Sequence, residues 1–88
     1  MSRRELLGKA IEKFGREAQM VKCCEECGEL VQAVCKWIGG TGDEEAVIEE
    51  MVDVEIMLEQ VRMILGVDPD VEAQWRALKL MRLKDRLG

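Results

Sequence analysis

The chain has 88 residues, 48% of them hydrophobic and 35% charged, with a net charge of −5. That length makes one small domain, residues 1–88, near the lower limit for a self-sufficient core, so association between chains is expected. The composition excludes bulk disorder, and the acidic balance argues against a general binder of nucleic-acid phosphate backbones.

The opening segment "MSRRELLGKAIEKF" is too charged for the apolar core of a signal peptide. Ser2 and Glu5 are spaced as a capping box, which predicts a first helix from about Arg3 to Phe14. Gly15 then marks a break or bend. A long amphipathic segment follows, from about Arg16 to Ile38. "GGTGD" (39–43) is the clearest loop, and Thr41 with Glu44 reads as a second capping box opening a helix to about Leu65. Gly66 suits a helix C-cap, and Asp68–Pro69 reads as N-cap and first helical residue of a last helix ending near Leu87. Strand-like alternation is absent. The expected architecture is all-α, a small bundle of two long antiparallel helices and two shorter ones.

No apolar run is long enough to span a bilayer, so no membrane partner is expected. A reducing cytoplasm is the expected location, where four cysteines stay thiols. Cys24-x-x-Cys27 has a zinc-like spacing, but the chain contains no His to complete such a site. On a helix, Cys23, Cys24, Cys27 and Cys35 spread over roughly 120°, an arc shared with Val31, Val34 and Ile38. They read as small hydrophobes of a buried face. A redox pair would normally open a helix rather than sit within one.

The carboxylates are patterned differently. Glu26 and Glu29, spaced i, i+3, project from one side of a helix, and Glu50 and Asp53 repeat the spacing on the next long helix. Two such pairs on facing helices can converge, and convergence calls for a divalent cation to offset their repulsion. Oxygen-only ligands select Mg²⁺, Mn²⁺ or Ca²⁺. Glu50 lies only about 40° from Val54 on the helical wheel, inside the apolar stripe of Val47, Val54, Val61 and Leu65. A buried, unpaired charge there is costly without a partner. Glu55, Glu59 and Arg62 lie on another flank and read as a solvated face. From spacing alone, the four acids also fit ordinary surface charge.

Other residues have two readings each. Gln19 lies near the azimuth of Glu26 and either reads a base edge or is an exposed helical amide. Lys22 precedes Glu26 by one turn. Trp37 shares that azimuth about 16 Å further along the axis, as a base-stacking surface or a packing lid. Lys79 and Arg82, spaced i, i+3 on a basic last helix, either contact phosphate oxygens or form a solvated face near a helix C-terminus. "GGTG" lacks the pattern of a phosphate-binding loop and reads as a linker.

"EECGEL" (25–30) followed by "EEMVDV" (49–54) resembles the E-x-x-E…E-x-x-D signature of the MazG-like all-α nucleoside triphosphate pyrophosphohydrolases. The resemblance extends over "KFGREAQMVKCCEECGELVQAVCKW" (13–37), "EEAVIEEMVDVEIMLEQV" (44–61) and "LKLMRLKDRL" (78–87). It implies a helical bundle working as a homodimer or dimer of dimers. It implies hydrolysis of a nucleotide substrate between its α- and β-phosphates. It also implies Mg²⁺, with Mn²⁺ as a substitute, held by Glu26, Glu29, Glu50 and Asp53, with Glu26 orienting or deprotonating the attacking water. Gln19, Lys22, Trp37, Lys79 and Arg82 are then the candidate substrate contacts, although some relatives carry a polar residue where Met81 stands. Phosphoribosyl-ATP hydrolysis is an alternative within the same superfamily. A non-catalytic helical interaction module is an alternative outside it.

Overall fold

The computed structural model describes residues 1–88 and contains four helices and no strand: α1 Arg3–Phe14, α2 Arg16–Ile38, α3 Glu44–Leu65 and α4 Pro69–Leu87. Each boundary has a local chemical cause. The Ser2 hydroxyl accepts from the Glu5 amide at 3.1 Å and caps α1. Gly15 takes φ 97°, a backbone state that favours glycine, and separates α1 from α2. Gly66, at φ 60° and ψ 46°, gives α3 a left-handed C-cap. Asp68 caps α4, accepting from the Asp70 amide at 2.9 Å, with Pro69 as its first residue.

One predicted cap is corrected. The N-cap of α3 is Asp43, whose Oδ1 accepts from the Ala46 amide at 2.7 Å. Thr41 instead turns its hydroxyl back toward the Lys36 carbonyl. The amides of Gly39, Gly40, Thr41 and Gly42 all donate to carbonyls of the last turn of α2. They satisfy groups the helix end would leave open, and none is free to cradle a phosphate.

Helices α2 and α3 form the principal packed pair, and α1 lies against both. The pair is antiparallel, because the α3 partner falls in number as α2 advances: Arg16 bonds the Ile64 carbonyl, Gln19 bonds Gln60, and Glu26 and Glu29 meet Glu50. α4 makes no close backbone approach to the other helices. It is tied instead by Glu72, which accepts from Arg62 of α3 at 2.8 Å and from Arg76 at 2.7 Å. A cleft of about 620 Å³ lies between α1, α3 and the start of α4.

Only four residues are buried, and two of them are amides: Leu7, Gln19, Met57 and Gln60. The buried face expected for α2 is therefore corrected. Cys23 and Cys27 are half-buried, but Cys24 and Cys35 are exposed, as are Val31 (63%) and Ile38 (73%). Leu65 of the α3 stripe is also exposed. The physical reason is width, since one facing helix covers a narrower arc than the apolar residues occupy. The radius of gyration is 15.8 Å, against about 12 Å for a compact domain of this length. No helix is long and apolar enough to cross a membrane.

Candidate metal centre

The E-x-x-E pair of α2 and the E-x-x-D pair of α3 come together in the seam between these helices. Carboxylate oxygens of Glu26, Glu29 and Glu50 lie within 4.8 Å of one another. So do those of Glu49, Glu50 and Asp53. Glu50 belongs to both groups, so the cluster runs from α2 across Glu50 to Asp53. Antiparallel packing explains the meeting. Glu29 lies ten residues after Gln19 and Glu50 ten before Gln60, so equal steps from the bonded amides bring both acids to one level.

The cluster holds excess negative charge. Lys22 reaches Glu26 Oε1 at 3.3 Å and is its nearest cation. The second oxygen, Glu26 Oε2, is buried without a hydrogen-bond partner, and so is Glu50 Oε2. Burial pushes the Glu50 carboxyl above the usual carboxylate range, and Glu29, Asp53, Glu26 and Glu49 push it further. Two unpartnered buried oxygens in an acidic seam fit a cation that accepts oxygen donors. All donors are hard carboxylate oxygens and the chain has no His, which suits Mg²⁺ or Mn²⁺ rather than zinc. The thiols do not join this group. Cys23 pairs with Cys27, and burial followed by that neighbour pushes its thiol up, away from the reactive thiolate.

The remaining candidates are distributed unevenly. Gln19 is not a surface amide. It is buried, and its Nε2 donates to Gln60 Oε1 at 2.7 Å. Lys22 is committed to Glu26. Trp37 is 56% exposed at the end of α2. Lys79 and Arg82 are exposed on α4, whose backbone makes no close approach to α2 or α3, so packing within one chain does not bring them to the acids.

Glu49 is the cluster member that sequence reasoning missed, although it stands one turn before Asp53. Glu59 and Arg62 are also more than a solvated face. Glu59 receives a two-pronged contact from Arg3 of α1, which holds its carboxyl below the usual range. Arg62, through one hydrogen bond of 2.8 Å, holds the Glu72 carboxyl of α4 below the usual range too.

A scan against protein-family models found no match, and neither did comparisons with curated proteins and with solved structures.

Proposed function

We propose that the chain is a Mg²⁺-dependent, MazG-like nucleotide pyrophosphohydrolase. It converts a (deoxy)nucleoside triphosphate to the monophosphate and pyrophosphate, in a role such as clearing noncanonical or excess nucleotides. The observation that carries this reading is the pair of unpartnered buried oxygens, Glu26 Oε2 and Glu50 Oε2, at the centre of the signature acids. A divalent cation bound there supplies phosphate charge neutralisation and a more acidic water. Cleavage of a phosphoanhydride depends on such neutralisation and alignment more than on covalent help.

Each residue has a role under this reading. Glu29, Glu50 and Asp53 hold the cation. Glu26 shares in holding it and orients the attacking water or takes its proton, while Lys22 fixes the other Glu26 oxygen and stands ready for a phosphate oxygen. Trp37, exposed at the end of α2, stacks on a base. Lys79 and Arg82 reach phosphate from a neighbouring copy.

Exposed area supports such a neighbour. The chain exposes 7068 Å², whereas a compact monomer of its mass exposes about 5,200 Å². The excess, about 1,800 Å², falls in the range that each chain of an obligate dimer buries. The exposed surface is rich in Val21, Val31, Ile48, Met51, Val52 and Leu58 of α2 and α3, and in Trp75 and Leu83 of α4. A homodimer or dimer of dimers would cover these residues. The same surface also favours a second reading, a non-catalytic helical module whose function is association alone.

The test is a panel of ribo- and deoxyribonucleoside triphosphates and phosphoribosyl-ATP, with Mg²⁺ and with chelator. Pyrophosphate and a monophosphate product released only with Mg²⁺ support the hydrolase. No release from any nucleotide in Mg²⁺ or Mn²⁺ leaves the association module as the better account.

A further inference from the structure

We infer that the buried Gln19–Gln60 pair is a register lock, a positioning device that keeps α2 and α3 at the alignment in which the acids meet. The inference rests on the acid cluster's being a cation site, but its geometry is independent of any cation.

The apolar seam sets register weakly. Val47, Val54 and Val61 recur at intervals of seven on α3, so a slip of two turns exchanges one valine for another, and a slip of one turn brings Met57 or Ile64 in their place. The acids oppose the native register when no cation is bound, because it brings like charges within 4.8 Å. The short 39–43 connection limits how far the helices can slide, and within the seam something else must hold the alignment. The Gln19–Gln60 bond is the only buried side-chain hydrogen bond between α2 and α3. Arg16 also crosses between them, but it is exposed and bonds a carbonyl at the last turn of α3.

The spacing fits this role. Gln19 precedes Glu26 by seven residues and Gln60 follows Asp53 by seven, so each amide stands two turns from an acid on nearly the same azimuth. A slip of one turn moves the helices by about 5.4 Å. It takes Gln19 off Gln60 and sets it against the apolar turn of Ile56 and Met57 or that of Met63 and Ile64, so the Gln19 amide loses its partner. A single buried polar pair is a known means of fixing register between helices. Gln60 Nε2 donates only to Met57 Sδ, a weak acceptor at 3.8 Å, so Gln60 depends on Gln19 for its strong contact.

The test replaces the pair by leucines, Gln19→Leu with Gln60→Leu, beside Gln60→Glu, which keeps an acceptor opposite Gln19 Nε2. Register is read from interhelical nuclear Overhauser contacts in metal-free protein, and cation binding from Mn²⁺ titration by electron paramagnetic resonance. The leucine pair should melt at or above the wild-type temperature and yet lose the single set of α2–α3 contacts. Its Mn²⁺ affinity should fall about tenfold or more. Gln60→Glu should retain the contacts and the affinity. If the leucine pair keeps the wild-type contacts, the lock is refuted. Should it fail to fold, Gln19→Met alone, which keeps the length of the side chain without its amide, is judged by the same contacts. Wild-type protein that binds no Mn²⁺ sinks the cation site and leaves the register contacts to decide the lock.

Discussion

Glu26 of α2 and Glu50 of α3 bring carboxylate oxygens within 4.8 Å of each other, and each keeps its Oε2 buried and unpartnered. Two carboxylates in that position repel each other and are poorly solvated. A cation between the helices removes both penalties, and most of the predictions below follow from that difference.

Millimolar Mg²⁺ or Mn²⁺ should raise the melting temperature, since a ligand bound only to the folded state stabilises it by about 2.7 kcal/mol at a hundred times its Kd. Glu50→Gln should abolish the shift while stabilising the metal-free protein, because one of the crowded charges is gone. Differential scanning calorimetry with and without metal reads both effects. A cation effect that survives Glu50→Gln would place the binding site elsewhere.

The pH dependence of the metal-free protein has two parts. The Glu50 carboxyl is raised above its ordinary value of 4.5, so the folded state holds more protons and loses stability as pH rises from that value through the raised one. Glu59 and Glu72 are lowered by Arg3 and by Arg62, so their contribution is present above the ordinary value and is lost as pH falls through the lowered ones. Stability without metal should therefore peak in mild acid. Saturating Mg²⁺ should remove the decline on the alkaline side. Urea melts across pH give the curve, and a metal-free decline that Mg²⁺ leaves unchanged would show that the acids do not share a cation.

Much of the fold was legible because helix ends are written locally. Ser2, Gly15, Gly66 and Asp68–Pro69 each mark a boundary that the structure keeps. In "TGDEE" two residues compete for one cap, and spacing alone did not favour Asp43 over Thr41. The acid signature was legible as two pairs on two helices. The fifth acid of the cluster, Glu49, was hidden in a doublet, where the helical wheel favours only one member. The Gln19–Gln60 pair spans 41 residues and could not be read from one helix. The partial signal was an amide at position 60, between Met57 and Val61 on an apolar face. Arg3–Glu59 joins residues 56 apart and left no local sign. Nothing in the sequence of α4 shows that its backbone stays clear of its own chain's packed pair.

Sedimentation velocity at micromolar concentration should give a dimer or tetramer, with no compact monomer. A Val31→Glu, Ile48→Glu double substitution puts charge into the exposed apolar surface of α2 and α3, and it should shift the distribution to smaller, less stable species. Wild-type protein sedimenting as a stable monomer would contradict the area argument.

The thiols should be dispensable for turnover. Replacing Cys23, Cys24, Cys27 and Cys35 by Ser or Ala should cost about 1 kcal/mol at each half-buried position, Cys23 and Cys27, and little at the exposed two. Pyrophosphate release per folded molecule should be unchanged. A folded but inactive cysteine-free protein would move the chemistry from the oxygens to the sulfurs.

The most direct measurement of the acid cluster's role is steady-state pyrophosphate release in saturating Mg²⁺ by wild type, Glu26→Gln and Asp53→Asn, compared at equal folded fraction by circular dichroism. Both substitutions keep side-chain shape and remove one negative charge. Each should lower turnover by about two to four orders of magnitude while the helices stay formed. Variants that are folded and hydrolyse the nucleotide at the wild-type rate would contradict the account.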